Sequence, residues 1–324
     1  MRVLRAAIDL ELFHLRSAQA IGGWGLSNAD YQIEYGCAAL PALRELEAMT
    51  ASGAVATPKR LAADAPAHEI RFEQVSFAYA DGAPVLNGLS LSIPAGTSLA
   101  IVGLNGAGKT TLVKLLARLY DPTAGAITID GVDLPDVDPA AWRARIAAIF
   151  QDFLRFGLPA RDNVGFGGPA LLADEAALAR AAEKAGVLDR IRALPKGWDT
   201  PLMRQFTDGA DLSGGEWQRV ALARAFMAVE AGARLLILDE PTAALDVRAE
   251  AELYDRFLDL TRGLTTVLIS HRFSTVRRAD RICVVEAGSV LALGSHAELM
   301  ALGGRYAELF TLQSQRFAEA EAAG

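Results

Sequence analysis

The stretch Gly103-Leu104-Asn105-Gly106-Ala107-Gly108-Lys109-Thr110-Thr111 decides the fold of this 324-residue chain. It fits G-x-x-x-x-G-K-[ST], a loop whose backbone N–H groups surround phosphate oxygens, with a lysine for the terminal phosphates and a hydroxyl for Mg²⁺. Residues 97–102 before it predict a buried strand. Four leucines after it fall on one helical face: Leu112, Leu115, Leu116 and Leu119. Strand, glycine loop and helix together predict a phosphate at the helix N-terminus.

A second stretch, residues 212–219 (LSGGEWQR), combines a helix cap with exposed backbone. Ser213 and Glu216 fit the S-x-x-E capping box ahead of a helical run at 220–229. The cap alone does not explain the consecutive glycines Gly214 and Gly215, which expose backbone N–H groups and a helix N-terminus to an anion. The sequence therefore predicts that one helix N-terminus both carries the capping box and makes a second phosphate contact.

Two carboxylates follow the predicted strand 235–238, where open α/β sheets bind ligands. Asp239 is predicted to hold Mg²⁺, and Glu240 to orient or deprotonate an attacking water. The alternative is a pair of acids that merely ends a strand. Gln151 and His271 follow the predicted strands 146–150 and 266–270 in the same topological position. A lone histidine is more often structural, but this location favours a site near the triphosphate.

The chain has four regions of different pattern. Residues 50–66 are rich in Ala, Gly, Pro and Thr and predict a linker. Apolar and polar residues alternate at 70–77, and a second run of this kind follows at 85–93; both predict strands. Tyr79 lies just after the first run and is predicted to stack on an adenine ring or, alternatively, to be a core residue. Helical patterns dominate from about 152 to 232. Apolar runs at 235–238, 266–269 and 282–285 predict a parallel sheet that is covered on both faces.

Composition and charge argue against several classes of protein. The net charge is −7 with a pI near 5.3, and no basic run stands out, which argues against a general nucleic-acid binder. Cys37 and Cys283 are far apart and lack metal-ligand spacing, so both are predicted to be buried apolar residues. No secretory signal is evident. No segment reaches the roughly 20 apolar residues of a spanning helix, so the sequence predicts that this chain does not cross a bilayer alone.

From about residue 69 to residue 315, the chain resembles the ATP-binding-cassette superfamily, most closely the nucleotide-binding domain of exporter-type ABC transporters. Seven features occur in the family's order: Tyr79 as the adenine-stacking aromatic, 103–111 as Walker A, Gln151 as the Q-loop, 212–219 as the signature, 235–240 as Walker B, Ala244-Leu245-Asp246 as the D-loop, and His271 as the switch histidine. The resemblance implies an α/β fold with a P-loop NTPase core of mainly parallel sheet, an antiparallel β subdomain and an all-helical signature subdomain at about 152–232.

The resemblance also implies a set of site residues, with ATP and Mg²⁺ as ligands. The catalytic group comprises Glu240, His271 and Gln151. The nucleotide-binding group comprises Tyr79, Gly103, Asn105, Gly106, Ala107, Gly108, Lys109, Thr110, Thr111, Ser213, Gly214, Gly215 and Asp246. The metal group comprises Thr110, Gln151 and Asp239. In the head-to-tail dimer that the family implies, Ser213 and Gly215 complete the partner's site.

The expected partners are a second nucleotide-binding domain, in a homo- or heterodimer, and a transmembrane permease domain or subunit, with no nucleic acid. Residues 153–156 are expected to receive the membrane domain's coupling helix, which would place the chain at the cytoplasmic face of the cell membrane. We expect residues 1–66 to be a helical segment and linker left from a transmembrane domain, 67–316 to be the nucleotide-binding domain, and 317–324 to be a tail.

The expected function is ATP hydrolysis that drives export through a separate membrane domain. One alternative is a soluble ABC-type ATPase of DNA repair, chromosome structure or translation, which usually carries a coiled-coil insertion, a zinc module or tandem cassettes. The other alternative is an inactive truncated fragment. Glu216 departs from the glutamine that is usual in the family, and because a carboxylate facing the γ-phosphate is unfavourable, Glu216 is expected to point into the capping box.

Overall fold

The described residues form two sheets, one of which is antiparallel. The computed structural model describes residues 58–80, 82–150, 153–239, 257, 260–270, 276–312 and 314, all within one compact unit. The antiparallel sheet contains β1 (Glu69–Ala78), β2 (Pro84–Pro94), β4 (Ala124–Ile129) and β5 (Val132–Asp133), in the order β2-β1-β4-β5. In β1, buried Ile70, Phe72, Val75 and Phe77 follow the predicted alternation, with a register shift near Gln74.

A second, mainly parallel sheet supplies the edge at which the phosphate loop begins. It contains β3 (Ser98–Val102), β6 (Ile146–Ile149), β7 (Leu235–Asp239), β8 (Thr265–Ile269), β9 (Arg281–Glu286) and β10 (Ser289–Gly294). The strand order is β10-β9-β3-β8-β7-β6, and only β10 runs antiparallel to its neighbour. Every residue of β7 and β8 is buried, as the continuous apolar runs predicted.

Helices cover the sheet and form the predicted insertion. Among the described residues, the α-helices with complete bounds are α1 (Lys109–Leu116), α2 (Pro139–Arg143), α3 (Ala160–Gly165), α4 (Glu175–Lys184), α5 (Leu188–Arg192), α6 (Gly214–Glu230) and α7 (His296–Ala301). Between β6 and β7, α3 to α6 pack around one apolar cluster that includes Leu178, Ile191, Trp217 and Phe226. The α/β core, the antiparallel β subdomain and the helical subdomain are thus confirmed.

The helix after the phosphate loop is shorter than its leucine pattern predicts. It ends at Leu116, and Arg118 adopts a positive φ of 51°, which turns the chain away from the helical path. Leu119 is consequently 49% exposed instead of buried on the helical face. Its placement on that face was wrong because a non-glycine residue in the left-handed region leaves no signal in the sequence.

The end of the predicted linker packs against the domain. The amide of Lys59 donates to the carbonyl oxygen of Asp136 at 2.8 Å, and Arg145 donates to the carbonyl oxygens of Ala62 and Ala65. Ala65 is fully buried. The rest of the expected 1–66 segment, and the expected tail at 317–324, lie outside the described residues. In the part of the chain that the structure describes, no helix has the length and apolar character needed to cross a membrane.

Candidate nucleotide-binding site

The loop between β3 and α1 is shaped by two glycines in close contact with neighbouring strands. A Cβ atom on Gly103 would lie 2.2 Å from the carbonyl oxygen of Val285, and one on Gly108 would lie 2.6 Å from Cδ2 of Leu86. Gly108 caps α1 with a φ of 102°. In contrast, a Cβ on Gly106 would meet no atom within 4 Å. The loop is therefore clamped at both ends and open in the middle, as a backbone cradle for phosphate requires.

The Lys109 side chain folds back onto this loop. Its Nζ donates to the carbonyl oxygens of Gly103 at 2.9 Å and Leu104 at 3.0 Å, and the residue is 7% exposed. The ammonium group thus stands beside the loop's own backbone at the N-terminus of α1. Asn105 and Thr110 are exposed, whereas Ala107 is buried. The predicted phosphate-binding residues therefore lie together in one loop and one helical turn.

Tyr79 joins the antiparallel sheet to the phosphate loop. Its hydroxyl group lies 3.2 Å from Oγ1 of Thr111, and its ring makes edge contacts with Phe77 and Tyr120 at centroid distances of 4.9 and 5.4 Å. The Nζ of Lys114 lies 5.6 Å from the centre of the Tyr79 ring. Sequence reasoning missed Lys114 and Tyr120 as neighbours of this site, although Lys114 follows Thr111 by three residues and so shares its helical face.

Asp239 ends β7 at the same edge of the parallel sheet. It pairs in register with Ile269, which also pairs with Ile101 of β3, so Asp239 lies two strands away from the strand that enters the loop. Two strand spacings correspond to about 10 Å. Asp239 is 7% exposed, in line with a carboxylate held at a strand end. Among the residues that the structure describes, no group of three or more His, Cys, Asp or Glu could hold a metal ion by itself.

Four predicted site residues lie outside the described residues: Gln151, Glu240, Asp246 and His271. The expected catalytic group therefore stays a prediction from the sequence. Within the described ranges, the structure brings together the phosphate loop, Tyr79 and the sheet edge that carries Asp239. Ser213, Gly214 and Gly215 instead begin α6 in the helical subdomain.

The start of α6 has the predicted capping box. The Glu216 amide donates to Oγ of Ser213 at 3.3 Å, and the Ser213 amide donates to Oε2 of Glu216 at 2.7 Å. Arg190 adds an ion pair, with its Nε 2.6 Å from Oε1 of Glu216. Burial by itself would raise the pKa of the Glu216 carboxyl group, but hydrogen bonds from Ser213 and Arg190 outweigh it and hold the pKa below its usual range. Sequence reasoning placed Glu216 correctly and missed Arg190.

An apolar cavity of about 340 Å³ opens beside the predicted coupling segment. Its lining includes Phe153, Leu154 and Phe156 from that segment and Arg224 from α6. Leu154 is 64% exposed, and the guanidinium carbon of Arg224 lies 5.2 Å from the centre of the Phe156 ring. Nε of Arg224 donates to the carbonyl oxygen of Asn163 at 2.9 Å, so the charged group that borders this cavity is fixed in place.

Comparisons with known proteins give a consistent result. A family model described as "ABC transporter" matches residues 86–243. The chain is 43% identical over 247 residues to an ATP-dependent lipid A-core flippase of Chromohalobacter salexigens. This match covers 76% of this chain and 41% of the flippase. It is also 42% identical over 240 residues to a fatty acid ABC transporter ATP-binding/permease protein of Mycobacterium tuberculosis. That match covers 74% of this chain and 37% of the transporter protein.

A solved structure described as a bacterial Atm1-family ABC exporter with ATP bound superimposes with a TM-score of 0.71 at 36% sequence identity. The match covers 80% of this chain and 44% of that exporter. The chain thus spans about two fifths of the length of the curated relatives it matches.

Proposed function

Because this chain belongs to the ABC transporter family and carries an exporter-type nucleotide-binding domain, we propose that it binds and hydrolyses ATP to power export through a membrane domain. The reaction converts ATP and water into ADP and inorganic phosphate. The observation that carries the proposal is the loop at 103–111, which is held by close contacts at Gly103 and Gly108, is open at Gly106, and has the Lys109 ammonium group beside it at a helix N-terminus.

The site fits a magnesium nucleotide. The open backbone at Gly106 leaves room for phosphate oxygens, and Lys109 supplies a cation to the terminal phosphates. Mg²⁺ would be held by the exposed Thr110 hydroxyl group, by Asp239 at the end of β7 and by Gln151, with the phosphates as further ligands. Bound there, the ion would neutralise the charge that develops on the phosphate oxygens.

The chain's own residues would handle the water. Glu240 directly follows Asp239, so it is the group proposed to orient the attacking water or accept its proton. His271 and Asp246 are proposed to contact the nucleotide from the segments that follow β8 and β7. Tyr79 is proposed to support the adenine ring, which is consistent with its hydrogen-bond contact with Thr111 in the phosphate-binding turn.

A second nucleotide-binding domain would complete each site. The backbone N–H groups of Gly214 and Gly215 and the hydroxyl group of Ser213 stand at the N-terminus of α6, where an anion is favoured by the helix dipole. They begin a helix of a different subdomain from the phosphate loop, which supports contact with the partner's ATP in a head-to-tail dimer.

The proposed membrane partner would dock on the apolar cavity. Exposed Leu154 and the Phe153 and Phe156 side chains give this surface the character of a protein interface rather than of a solvated loop. The relatives named above are a lipid A-core flippase and a fatty acid ABC transporter ATP-binding/permease protein, and these names support the proposal that this domain works at the cytoplasmic face of a membrane.

The test is the ATPase rate per molecule against protein concentration, together with size analysis of Glu240→Gln in ATP and Mg²⁺. We expect the wild-type rate per molecule to rise with concentration, because two chains form each site. Glu240→Gln should lower the rate by about 10²- to 10⁴-fold while ATP binding and an ATP-dependent dimer persist, since the amide keeps the shape but cannot accept the proton.

Either of two results would contradict the proposal. Undiminished turnover in Glu240→Gln would remove Glu240 from the reaction. A negligible wild-type rate at every concentration, with a persistent monomer in ATP, would favour an inactive fragment instead.

A further inference from the structure

An acidic side chain occupies the first turn of α6, the helix end proposed to meet the partner's ATP. Glu216 is the third residue of the helix, directly after Gly214 and Gly215. Its Oε2 accepts the Ser213 amide at 2.7 Å, and its Oε1 accepts Nε of Arg190 at 2.6 Å. Both carboxylate oxygens therefore already have donors within this chain.

Arg190 reaches Glu216 from a neighbouring helix that is fixed in the core. It belongs to α5, in which Leu188 and Ile191 are buried in the same apolar cluster as Trp217 of α6. The Arg190 and Glu216 side chains are 39% and 27% exposed, so the pair is partly shielded from solvent. Its geometry depends on the packing of α5 against α6 rather than on a flexible surface loop.

The charge of Glu216 has opposite effects on the helix and on an incoming anion. A carboxylate in the first turn stabilises the helix through the macrodipole and the capping box. The same carboxylate repels a phosphate that approaches this N-terminus. Because its pKa is held below the usual range, Glu216 is ionised at neutral pH. A counter-charge beside Glu216 reduces this repulsion.

We propose that Arg190 is a positioning residue for the ATP site between two chains: it neutralises Glu216 and holds its carboxylate in the capping box, so that the N-terminus of α6 can accept the partner's terminal phosphate. This inference rests on the proposed function, in which the partner's ATP binds at this helix end. Arg190 acts through Glu216 and need not touch the nucleotide.

A double-mutant cycle in the Glu240→Gln chain tests the proposal. We expect Arg190→Ala to raise the protein concentration for half-maximal ATP-dependent dimerisation about fivefold at low salt, and less at high salt, where screening weakens the repulsion. Arg190→Ala combined with Glu216→Gln should return this midpoint to that of the Glu240→Gln chain. A purely structural role for Arg190 would leave the defect in place, because the arginine is still missing.

A matched control is provided by an ion pair at the other end of α6. Arg180 pairs with Glu230 at 3.1 Å near the C-terminus of α6, away from the signature residues. Arg180→Ala removes this contact of α6, while Lys184 still pairs with Glu230 at 2.7 Å, and should leave the dimerisation midpoint unchanged. Thermal melting of each variant without ATP separates a loss of folding from a loss of dimerisation.

Two results would overturn the inference. One is an unchanged midpoint for Arg190→Ala, and the other is an equal defect in Arg190→Ala and in the double variant. If the Glu240→Gln chain itself fails to dimerise with ATP, the proposed function fails instead, so the two failures can be told apart.

Discussion

At the scale of single residues, Lys109 combines a structural contact with the proposed role in nucleotide binding. Its ammonium group donates to the carbonyl oxygens of Gly103 and Leu104 and so supports the loop that it would share with the triphosphate. A buried cation that already has carbonyl partners is held in place before a ligand arrives. This arrangement lowers the conformational cost of binding the nucleotide.

Lys109→Ala is expected to raise the Kd for ATP about 10- to 100-fold. The reason is the loss of a charge-assisted contact worth about 1.5–3 kcal/mol. Isothermal titration calorimetry measures the change. Lys196→Ala is the control, because Lys196 pairs with Asp208 on the exposed surface of the helical subdomain. Unchanged ATP affinity in Lys109→Ala would contradict the phosphate-loop assignment.

At the scale of elements, the turn between β4 and β5 aligns the start of β1. Asp130 and Gly131 both have positive φ, 51° and 80°, as a two-residue type I′ hairpin requires. The Asp130 carboxylate accepts the amides of Ala67, His68 and Glu69 at 2.8, 2.8 and 3.0 Å. Burial opposes ionisation, but these three hydrogen bonds outweigh it and hold the pKa of Asp130 below its usual range.

Asp130→Asn should lower the free energy of unfolding by about 1 kcal/mol at neutral pH, because a neutral amide replaces the charged acceptor while the turn is retained. Since the folded pKa is depressed, the unfolded state binds the proton more readily. The difference between wild type and variant is therefore present above about pH 4 and is lost as the pH falls through the folded pKa.

Urea unfolding between pH 3 and pH 7 measures this difference. Asp133→Asn is the control, because Asp133 is exposed and its side chain makes no capping hydrogen bond. A pH-independent difference between wild type and Asp130→Asn would contradict the electrostatic explanation.

The elements also show what the sequence can predict. Strands β7 and β8 were predictable because a strand buried on both faces is a continuous apolar run. The capping box was predictable because Ser213 and Glu216 are three residues apart. The end of α1 was not predictable, because Arg118 adopts a positive φ that its residue type does not signal; its side chain donates to the carbonyl oxygen of Pro135, 17 residues further along the chain. Arg190 was missed because it lies 26 residues from Glu216 in the chain.

At the scale of the whole molecule, three parts contribute to the proposed site. The parallel sheet supplies the loop at 103–111 and Asp239, the antiparallel sheet supplies Tyr79, and the helical subdomain supplies the start of α6 for a partner. The sequence indicates each part by its own motif. Their relation in space follows from strand order, in which β3 and β7 both flank β8 and therefore present their carboxyl ends at one edge.

Substitution of Tyr79 tests whether the antiparallel sheet takes part in nucleotide binding or only packs against the phosphate loop. Its ring contacts Phe77 and Tyr120, and its hydroxyl group lies beside Thr111, so the residue could support adenine or merely brace the loop. Stacking of a base on an aromatic ring contributes about 1–3 kcal/mol. Tyr79→Ala should therefore raise the Kd for ATP at least about fivefold.

The discriminating comparison uses inorganic tripolyphosphate, which has the phosphate chain but no base. If Tyr79 stacks on adenine, Tyr79→Ala weakens ATP binding and leaves tripolyphosphate affinity unchanged, and Tyr79→Phe behaves like wild type because it keeps the ring. If Tyr79 acts only through Thr111, Tyr79→Ala weakens both ligands equally and Tyr79→Phe shares the defect, because only the hydroxyl group reaches Thr111. The second outcome would restrict nucleotide recognition to the phosphate loop and would assign the antiparallel sheet a purely structural role.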